Sequence, residues 1–211
     1  MPTPWTAAVK AAGRLSIFPT PNVAKGAWGK VFAKAMADVN ALSAKHSLGV
    51  VFVLATSPPD PSGVGGADVQ FDTINGTASF TAFNQSFSDK LSGDAMEGHT
   101  NLVKQVFGSN ATVAKAFTYV PATPKIGGAK GRLLGDPGRL VIAAHELIHA
   151  LGLDNSDHSS LSSADLFSSP MEAQQGTAPA ADTLHPWGLT APVMPPIVLA
   201  GPTITLIQNN W

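Results

Sequence analysis

Apolar residues recur at helical spacing in two long stretches of this chain of 211 residues. In residues 24–46 they mark one face of an amphipathic helix. The apolar positions of that face are Trp28, Val31, Phe32, Ala35, Val39 and Leu42. A second stripe starts at Leu140, shortly after Asp136 and Pro137, which suit the N-cap and the first position of a helix. Gly152, which adopts the left-handed conformation easily, marks its end. Two long helices are therefore predicted.

Shorter apolar runs predict β-strands. Residues 14–18 form one such run, and residues 116–120 form another. Residues 49–55 are apolar without interruption, which is typical of a central strand buried on both faces.

The middle of the chain combines turn signals with a less regular pattern. Asn75 and Gly76 form a strong turn signal, so residues 68–73 and 77–83 are predicted to pair as a hairpin around them. Beyond this hairpin, residues 101–106 are predicted to form a helix.

The order of these elements predicts a protein of the α+β class. We expect a twisted mixed sheet backed by the two long helices, with a glycine-rich loop or hairpin at residues 127–134 before the second helix. After Gly152 the chain is rich in Ser, Ala, Pro and Gly, and little regular structure is expected there. The prediction is one domain with an N-terminal subdomain of about residues 1–152 and an irregular C-terminal subdomain of about residues 153–211.

Composition narrows the classes of function. With 44% hydrophobic and 13% charged residues, the chain has the composition of a compact globule. Its formal net charge is -1 and it has no basic run, so no nucleic-acid partner is expected. No apolar stretch is long enough to predict a membrane span. Because the chain contains 0 cysteines, any metal ion must be bound by His, Asp or Glu side chains.

The second helix carries the residues with the clearest chemistry, His145-Glu146-Leu147-Ile148-His149. Two histidines four residues apart lie on one helix face, so both imidazoles can bind one metal ion. The glutamate between them can take a proton from a water molecule on that metal. An H-E-x-x-H sequence also arises by chance, but here it lies on a well-delimited helix with one apolar side. The pattern therefore predicts a Zn²⁺ site with His145 and His149 as ligands and Glu146 as the catalytic base.

The sequence from His145 through Gly152 resembles the signature H-E-x-x-H-x-x-G-x-x-H (or Asp) of the metzincin clan of zinc peptidases. In that clan the glycine lets the backbone turn so that a third ligand reaches the metal. The resemblance implies a metzincin-like zincin fold. The chain departs from the signature at Asn155, which stands where the third ligand belongs.

The third ligand therefore has several candidates. His158 follows in a sequence that looks like the matrixin-type L-G-L-x-H-S with three inserted residues, and we take it as the expected ligand. Asp154 and Asp157 are alternatives within the same loop. Glu172 is a further alternative by similarity to the gluzincin clan, whose third ligand is a more distant glutamate.

The same resemblance implies two supporting roles. Metzincins have a methionine in a tight turn beneath the zinc, and Met171 is the candidate for it. The oxyanion formed during peptide hydrolysis needs a nearby donor. Tyr119, the only tyrosine, and His185 are the two candidates for this donor.

These features predict a zinc-dependent endopeptidase that acts on a peptide or protein substrate. In metzincins the substrate lies extended along an edge strand above the cleft, and residues 127–134 are a candidate for a segment that borders it. Two alternatives remain: a zinc amidase that cleaves the peptide of bacterial cell walls, and a binding module that zinc stabilises without catalysis.

The run from His145 to Phe167 looks like metallopeptidase domains attached to bacterial secretion-system spikes and toxins. The first residues lack a basic start followed by an apolar run, so no classical signal peptide is recognised. Together these observations predict an effector that is part of a larger secreted bacterial protein and is delivered outside the producing cytoplasm.

Overall fold

A mixed five-stranded sheet forms the centre of the protein in the computed structural model. The structure describes residues 2–63, 65–83, 85–126, 129–154 and 197–211. Its strands are β1 (Arg14–Pro19), β2 (Val51–Leu54), β3 (Val69–Ile74), β6 (His99–Phe107) and β7 (Asn110–Pro121). They lie in the order β2-β1-β3-β7-β6. The pairs within β2-β1-β3-β7 are parallel, and β6 is antiparallel to β7. The structure therefore confirms the α+β class and the mixed sheet.

Two smaller antiparallel pairs accompany this sheet. One joins β4 (Gly76–Ala82) to β5 (Gln85–Leu91), and the other joins β8 (Lys125–Ile126) to β9 (Arg132–Leu133). β9 lies within residues 127–134, the segment predicted to be a loop or hairpin, and β8 directly precedes that segment.

The helices pack mainly on one face of the sheet. They are α1 (Ala7–Ala12), α2 (Pro21–Ala24), α3 (Gly29–His46), α4 (Asp136–Ala150) and α5 (Gly201–Asn210). Side chains of α3 and α4 share one buried cluster with alternate residues of the sheet, including Leu15 and Ile17. The two predicted long helices are confirmed, with one difference at the start of α4. Gly135 is its N-cap, and Asp136 is already helical.

The β4–β5 pair covers the part of the opposite face that β6 and β7 form. Phe80 of β4 lies between Phe87 and Phe117, at ring-centroid distances of 5.0 and 4.0 Å. Asp89 of β5 accepts hydrogen bonds of 2.7 Å from His99 Nδ1 and Asn101 Nδ2 of β6. Apolar stacking and these polar bonds together hold the hairpin against β6 and β7.

Two predictions from the middle of the chain are wrong. Residues 68–73 and 77–83 do not pair as a hairpin, because β3 pairs on both sides within the central sheet and β4 pairs with β5. Residues 101–106 are not helical but belong to β6. In β6 Leu102 contacts the cluster on the helix side, whereas Val103 is buried in the cluster on the opposite side. This alternation is that of a strand between two apolar layers.

The prediction of a central strand at residues 49–55 is also wrong. The strand there, β2, lies at the edge of the sheet, and Val51, Val53 and Leu54 are exposed. The side chain of Asn40 in α3 blocks its outer side: the Asn40 amide donates to Phe52 O at 2.9 Å and accepts from Phe52 N at 2.8 Å. An amide thus occupies the place that another strand would take.

Both ends of the described chain pack against the end of α4. Trp5 Nε1 donates to Ala150 O at 2.9 Å, and Thr3 N donates to Gly152 O at 2.9 Å. From the other end, Asn210 Nδ2 and Trp211 Nε1 donate to Leu151 O at 3.1 and 2.9 Å. These donors satisfy the carbonyl groups that a helix end leaves without partners.

The described part of residues 153–211 is more regular than predicted. It contains α5, and its residues Leu153, Ile197, Leu199 and Ile207 are buried in the same cluster as α3 and α4. Among the described residues there is no helix of sufficient length and apolar character to cross a membrane.

We predict that Gly152→Ala destabilises the fold by about 1–3 kcal/mol, because Gly152 has a left-handed φ of 101°. A Cβ at this position would also lie 2.4 Å from Thr3 O and 2.6 Å from Asn210 Nδ2. Urea unfolding of the zinc-free protein measures the change. Gly201→Ala is the matched control, since nothing lies within 4 Å of a Cβ there. Equal unfolding midpoints for the two variants would contradict this account of the turn.

Candidate active site

His145 and His149 lie one turn apart on α4, and their rings converge. The two Nε2 atoms are 3.0 Å apart, and the ring centroids are 4.7 Å apart. His149 is buried at 4% exposure, and His145 is half-buried. The helix thus brings two imidazole nitrogens to one point at the border between interior and solvent.

The pair fits the requirements of a bound metal ion. Two nitrogens on a tetrahedral zinc with ordinary bond lengths are about 3.3 Å apart, close to the separation found here. His149 Nδ1 is 2.7 Å from Leu153 O. Because a carbonyl oxygen can only accept, Nδ1 carries the proton and Nε2 presents its lone pair toward His145. The bond to Leu153 therefore orients His149 as a metal ligand.

The turn at Gly152 makes this orientation possible. Its left-handed backbone directs the chain back, so that Gly152 N and Leu153 N both donate to His149 O at 2.9 and 3.2 Å. Leu153 O is thereby brought within hydrogen-bonding distance of the His149 imidazole. The glycine predicted to end the helix thus also holds a predicted metal ligand in place.

The third ligand is not identified within the part of the chain that the structure describes. Over residues 2–63, 65–83, 85–126, 129–154 and 197–211 there is no group of three or more His, Asp or Glu side chains that could hold a metal. Asp154 accepts from Lys104 Nζ at 3.1 and 2.8 Å and from Thr3 Oγ1 at 3.3 Å. This ion pair argues against Asp154 as a ligand.

The other predicted residues of the second half lie outside the described residues. They are the alternative ligands His158, Asp157 and Glu172, the methionine Met171 and the possible oxyanion donor His185. Their roles stay predictions.

Glu146 is buried beside the start of β6, with 2% of its surface exposed. Its Oε2 accepts a hydrogen bond of 2.7 Å from Thr100 Oγ1. Burial raises the pKa of Glu146 to about 8, the nearby carboxylates of Glu97 and Asp89 add to the increase, and the Thr100 hydroxyl opposes it. A carboxyl group with such a pKa can accept and return a proton near neutral pH.

The strand next to Glu146 is an edge of the sheet. β6 is the last strand in the order, and Thr100 near its start contacts the glutamate. Among the described residues, no backbone group hydrogen-bonds to β6 from its outer side. In the part of the chain that the structure describes, an unpaired strand edge therefore borders the candidate site. Because the pattern of residues 101–106 predicts a helix, neither this strand edge nor the contact of Thr100 with Glu146 was expected from the sequence.

Tyr119, one of the two candidates for the oxyanion donor, lies away from the site. Neighbouring residues of a strand point to opposite faces, and Thr118 faces α4 through its contact with Thr100. Tyr119 is buried on the other face, in the cluster beneath the β4–β5 pair. Its ring lies 6.2 Å from that of Phe80, and burial raises the pKa of its hydroxyl. It cannot reach a substrate bound near the histidines.

The chain matches no protein-family model and no curated protein. The resemblance to metzincins thus remains a proposal, and it depends on the motif together with the geometry of α4 and β6.

We predict that the stability of the zinc-free protein falls as the pH rises between about 5 and 8, owing to Glu146. Its pKa of about 8 in the folded protein exceeds the ordinary value of 4.5, so the folded state binds more protons than the unfolded state in this interval. The contribution of Glu146 to the free energy of unfolding is fully present below its ordinary pKa. It is lost once the pH rises above the pKa of Glu146 in the folded protein. Glu146→Gln abolishes it.

Thermal unfolding of both proteins after removal of zinc checks this prediction. We expect nearly equal melting temperatures at about pH 5, and a variant that is more stable by roughly 5 °C or more at about pH 8.5. Since other titrating groups act on both proteins alike, only the difference is informative. A difference that stays constant over this pH range would contradict the prediction.

Proposed function

We propose that the protein is a zinc-dependent endopeptidase of the metzincin type. His145, His149 and His158 would bind Zn²⁺, and Glu146 would be the general base. The observation that carries this proposal is one arrangement on α4: two converging Nε2 atoms lie 3.0 Å apart, with a buried carboxylate between them in sequence. This arrangement lies beside β6, the last strand of the sheet as the structure describes it.

The fold supports the proposal. The sequence resemblance implies a twisted mixed sheet, two long helices and a substrate lying along an edge strand. The mixed sheet and α3 with α4 are consistent with that expectation. We further propose that β6, rather than residues 127–134, is the strand to which an extended peptide adds its backbone hydrogen bonds.

Each protein group has a definite task in this mechanism. The bound zinc would act as a Lewis acid toward water and the substrate carbonyl. Glu146 takes a proton from the attacking water and passes it to the leaving amine nitrogen. The hydrogen bond from His149 to Leu153 O keeps the imidazole in the tautomer that binds metal. Burial of Glu146 keeps bulk water away from the proton during the transfer.

The structure gives reasons to prefer this function to the two alternatives. The edge of β6, which has no backbone partner among the described residues, suits an extended polypeptide better than it suits the branched cell-wall peptide. A module that only needs zinc for stability has no use for a buried carboxylate, whose burial costs free energy. Delivery outside the producing cytoplasm, as part of a larger secreted bacterial protein, is proposed from the sequence resemblance alone.

We predict that Glu146→Gln keeps its zinc but loses peptide cleavage by about 10²–10⁴-fold, because only the proton acceptor is removed. His158→Ala is expected to lose zinc, since two imidazoles alone bind it weakly. Metal analysis after dialysis and cleavage of casein or a quenched peptide measure both effects. His46→Ala is the control histidine variant, because His46 lies at the end of α3.

Three outcomes would change the proposal. Normal zinc content in His158→Ala would move the third ligand to Asp157 or Glu172. Undiminished cleavage by Glu146→Gln would remove the proposed base. A wild-type protein that binds zinc and cleaves no peptide would favour the stabilising role.

A further inference from the structure

The hydroxyl group of Thr100 lies at the centre of a small polar cluster next to Glu146. Thr100 Oγ1 is 2.7 Å from Glu146 Oε2, 3.2 Å from the backbone oxygen of the same glutamate and 3.1 Å from Thr118 Oγ1. The first distance is short, as expected for a hydroxyl that donates to a carboxylate. Thr100 therefore makes its strongest bond to the proposed base.

The protons of this cluster can be assigned from the chemistry of its members. In the form in which Glu146 acts as the base, its carboxylate is ionised and can only accept, and it is the strongest acceptor within reach of Thr100. The single hydroxyl proton of Thr100 thus goes to Glu146 Oε2. Thr118 is fully buried at 0% exposure, so its own proton is directed to Thr100 Oγ1. The order of donation is Thr118 to Thr100 to Glu146.

The sheet holds the two threonines in place. Thr100 and Thr118 are directly opposite each other in the register of β6 and β7, and their side chains point to the same face. On its other side, β7 pairs with β3 over residues that include Thr118. The hydroxyl that contacts Glu146 is thus mounted on the rigid part of the structure rather than on a loop.

Gly98 confines the carboxylate from another direction. A Cβ at this position would lie 2.6 Å from Glu146 Cγ and 2.9 Å from Oε1, so the start of β6 closes over the glutamate only because residue 98 has no side chain. Oε2 receives the Thr100 hydroxyl, whereas no hydrogen bond to Oε1 is found among the described residues. Among the described residues, one carboxylate oxygen is thus held by a hydrogen bond and the other is not.

We propose that Thr100, supported by Thr118, is a positioning residue for catalysis: it holds Oε2 of Glu146 so that Oε1 receives the proton of the attacking water. This inference rests on the proposed peptidase function. The proton moves from water to Oε1 and then to the leaving amine nitrogen, and the Thr100 proton stays on its own oxygen. Thr100 itself does not touch the substrate's reacting atoms.

Thr100→Val and Thr100→Ser form the matched pair of variants that tests the proposal. Val keeps the size and branching of Thr without the hydroxyl, and Ser keeps the hydroxyl. We expect Thr100→Val to lower kcat by about 10- to 100-fold with KM changed less than about threefold, as for a misplaced catalytic group. Thr100→Ser should retain kcat within about threefold, and both variants should keep the zinc content of the wild type. An unchanged kcat in Thr100→Val, or an equal loss in both variants, would overturn the proposal.

A structural measurement decides the proposal without reference to activity. In crystal structures of the zinc-loaded proteins, the wild type and Thr100→Ser should show Oε2 within hydrogen-bonding distance of the hydroxyl. In Thr100→Val the carboxylate should leave that position. A Glu146 side chain that stays in the same place in Thr100→Val would overturn the positioning role. Thr100→Ala replaces the Val variant if that protein does not fold.

The two levels of the proposal fail in different ways. A wild-type protein with no cleavage, or a Glu146→Gln variant with full cleavage, contradicts the peptidase function, while the crystal structures still decide what holds Glu146. An inactive Glu146→Gln together with a fully active Thr100→Val contradicts only the role of Thr100.

Discussion

The left-handed turn at Gly152 connects the stability of the fold to the geometry of the candidate site. At this residue the chain leaves α4 and returns, so that Leu153 O accepts from His149 Nδ1 at 2.7 Å. Side chains from both ends of the described chain bind the carbonyl groups just before the turn, namely those of Ala150 and Leu151. The orientation of one proposed metal ligand thus depends on contacts between residues far apart in the chain: Trp5 and Ala150 are separated by 145 positions, and Trp211 and Leu151 by 60.

The two edges of the central sheet differ in a way that matters for function. At β2 the side chain of Asn40 satisfies the backbone of Phe52, which discourages another strand from pairing there. At β6 the outer backbone is unpaired among the described residues, and the same strand supplies Thr100 to Glu146. This is the edge to which the proposed peptidase function would add an extended peptide, next to the proposed base.

The errors of prediction share one cause. The pattern of apolar residues along the chain does not reveal which other strand a given strand will pair with. Asn75 and Gly76 do mark a change of direction, yet β3 pairs with β1 and β7 instead of the strand that follows it. β6 lies between two apolar layers, and each face of the strand therefore carries apolar residues. Leu102 and Val103 are consecutive apolar residues for this reason, and the resulting pattern resembles that of a helix. β2 is apolar throughout but lies at an edge, where Asn40 of α3 rather than another strand hydrogen-bonds to its backbone.

By itself the sequence determined the two long helices, the α+β class and the placement of His145, Glu146 and His149 on one turn of a helix. These features depend on local spacing, which a helix converts directly into geometry. Only the tertiary structure decided what surrounds the motif: the contact of Thr100 with Glu146, the burial of Tyr119 on the far face, and the ion pair that occupies Asp154. Each of these joins residues distant in the chain, and pairing and burial arise only when separate strands and helices meet.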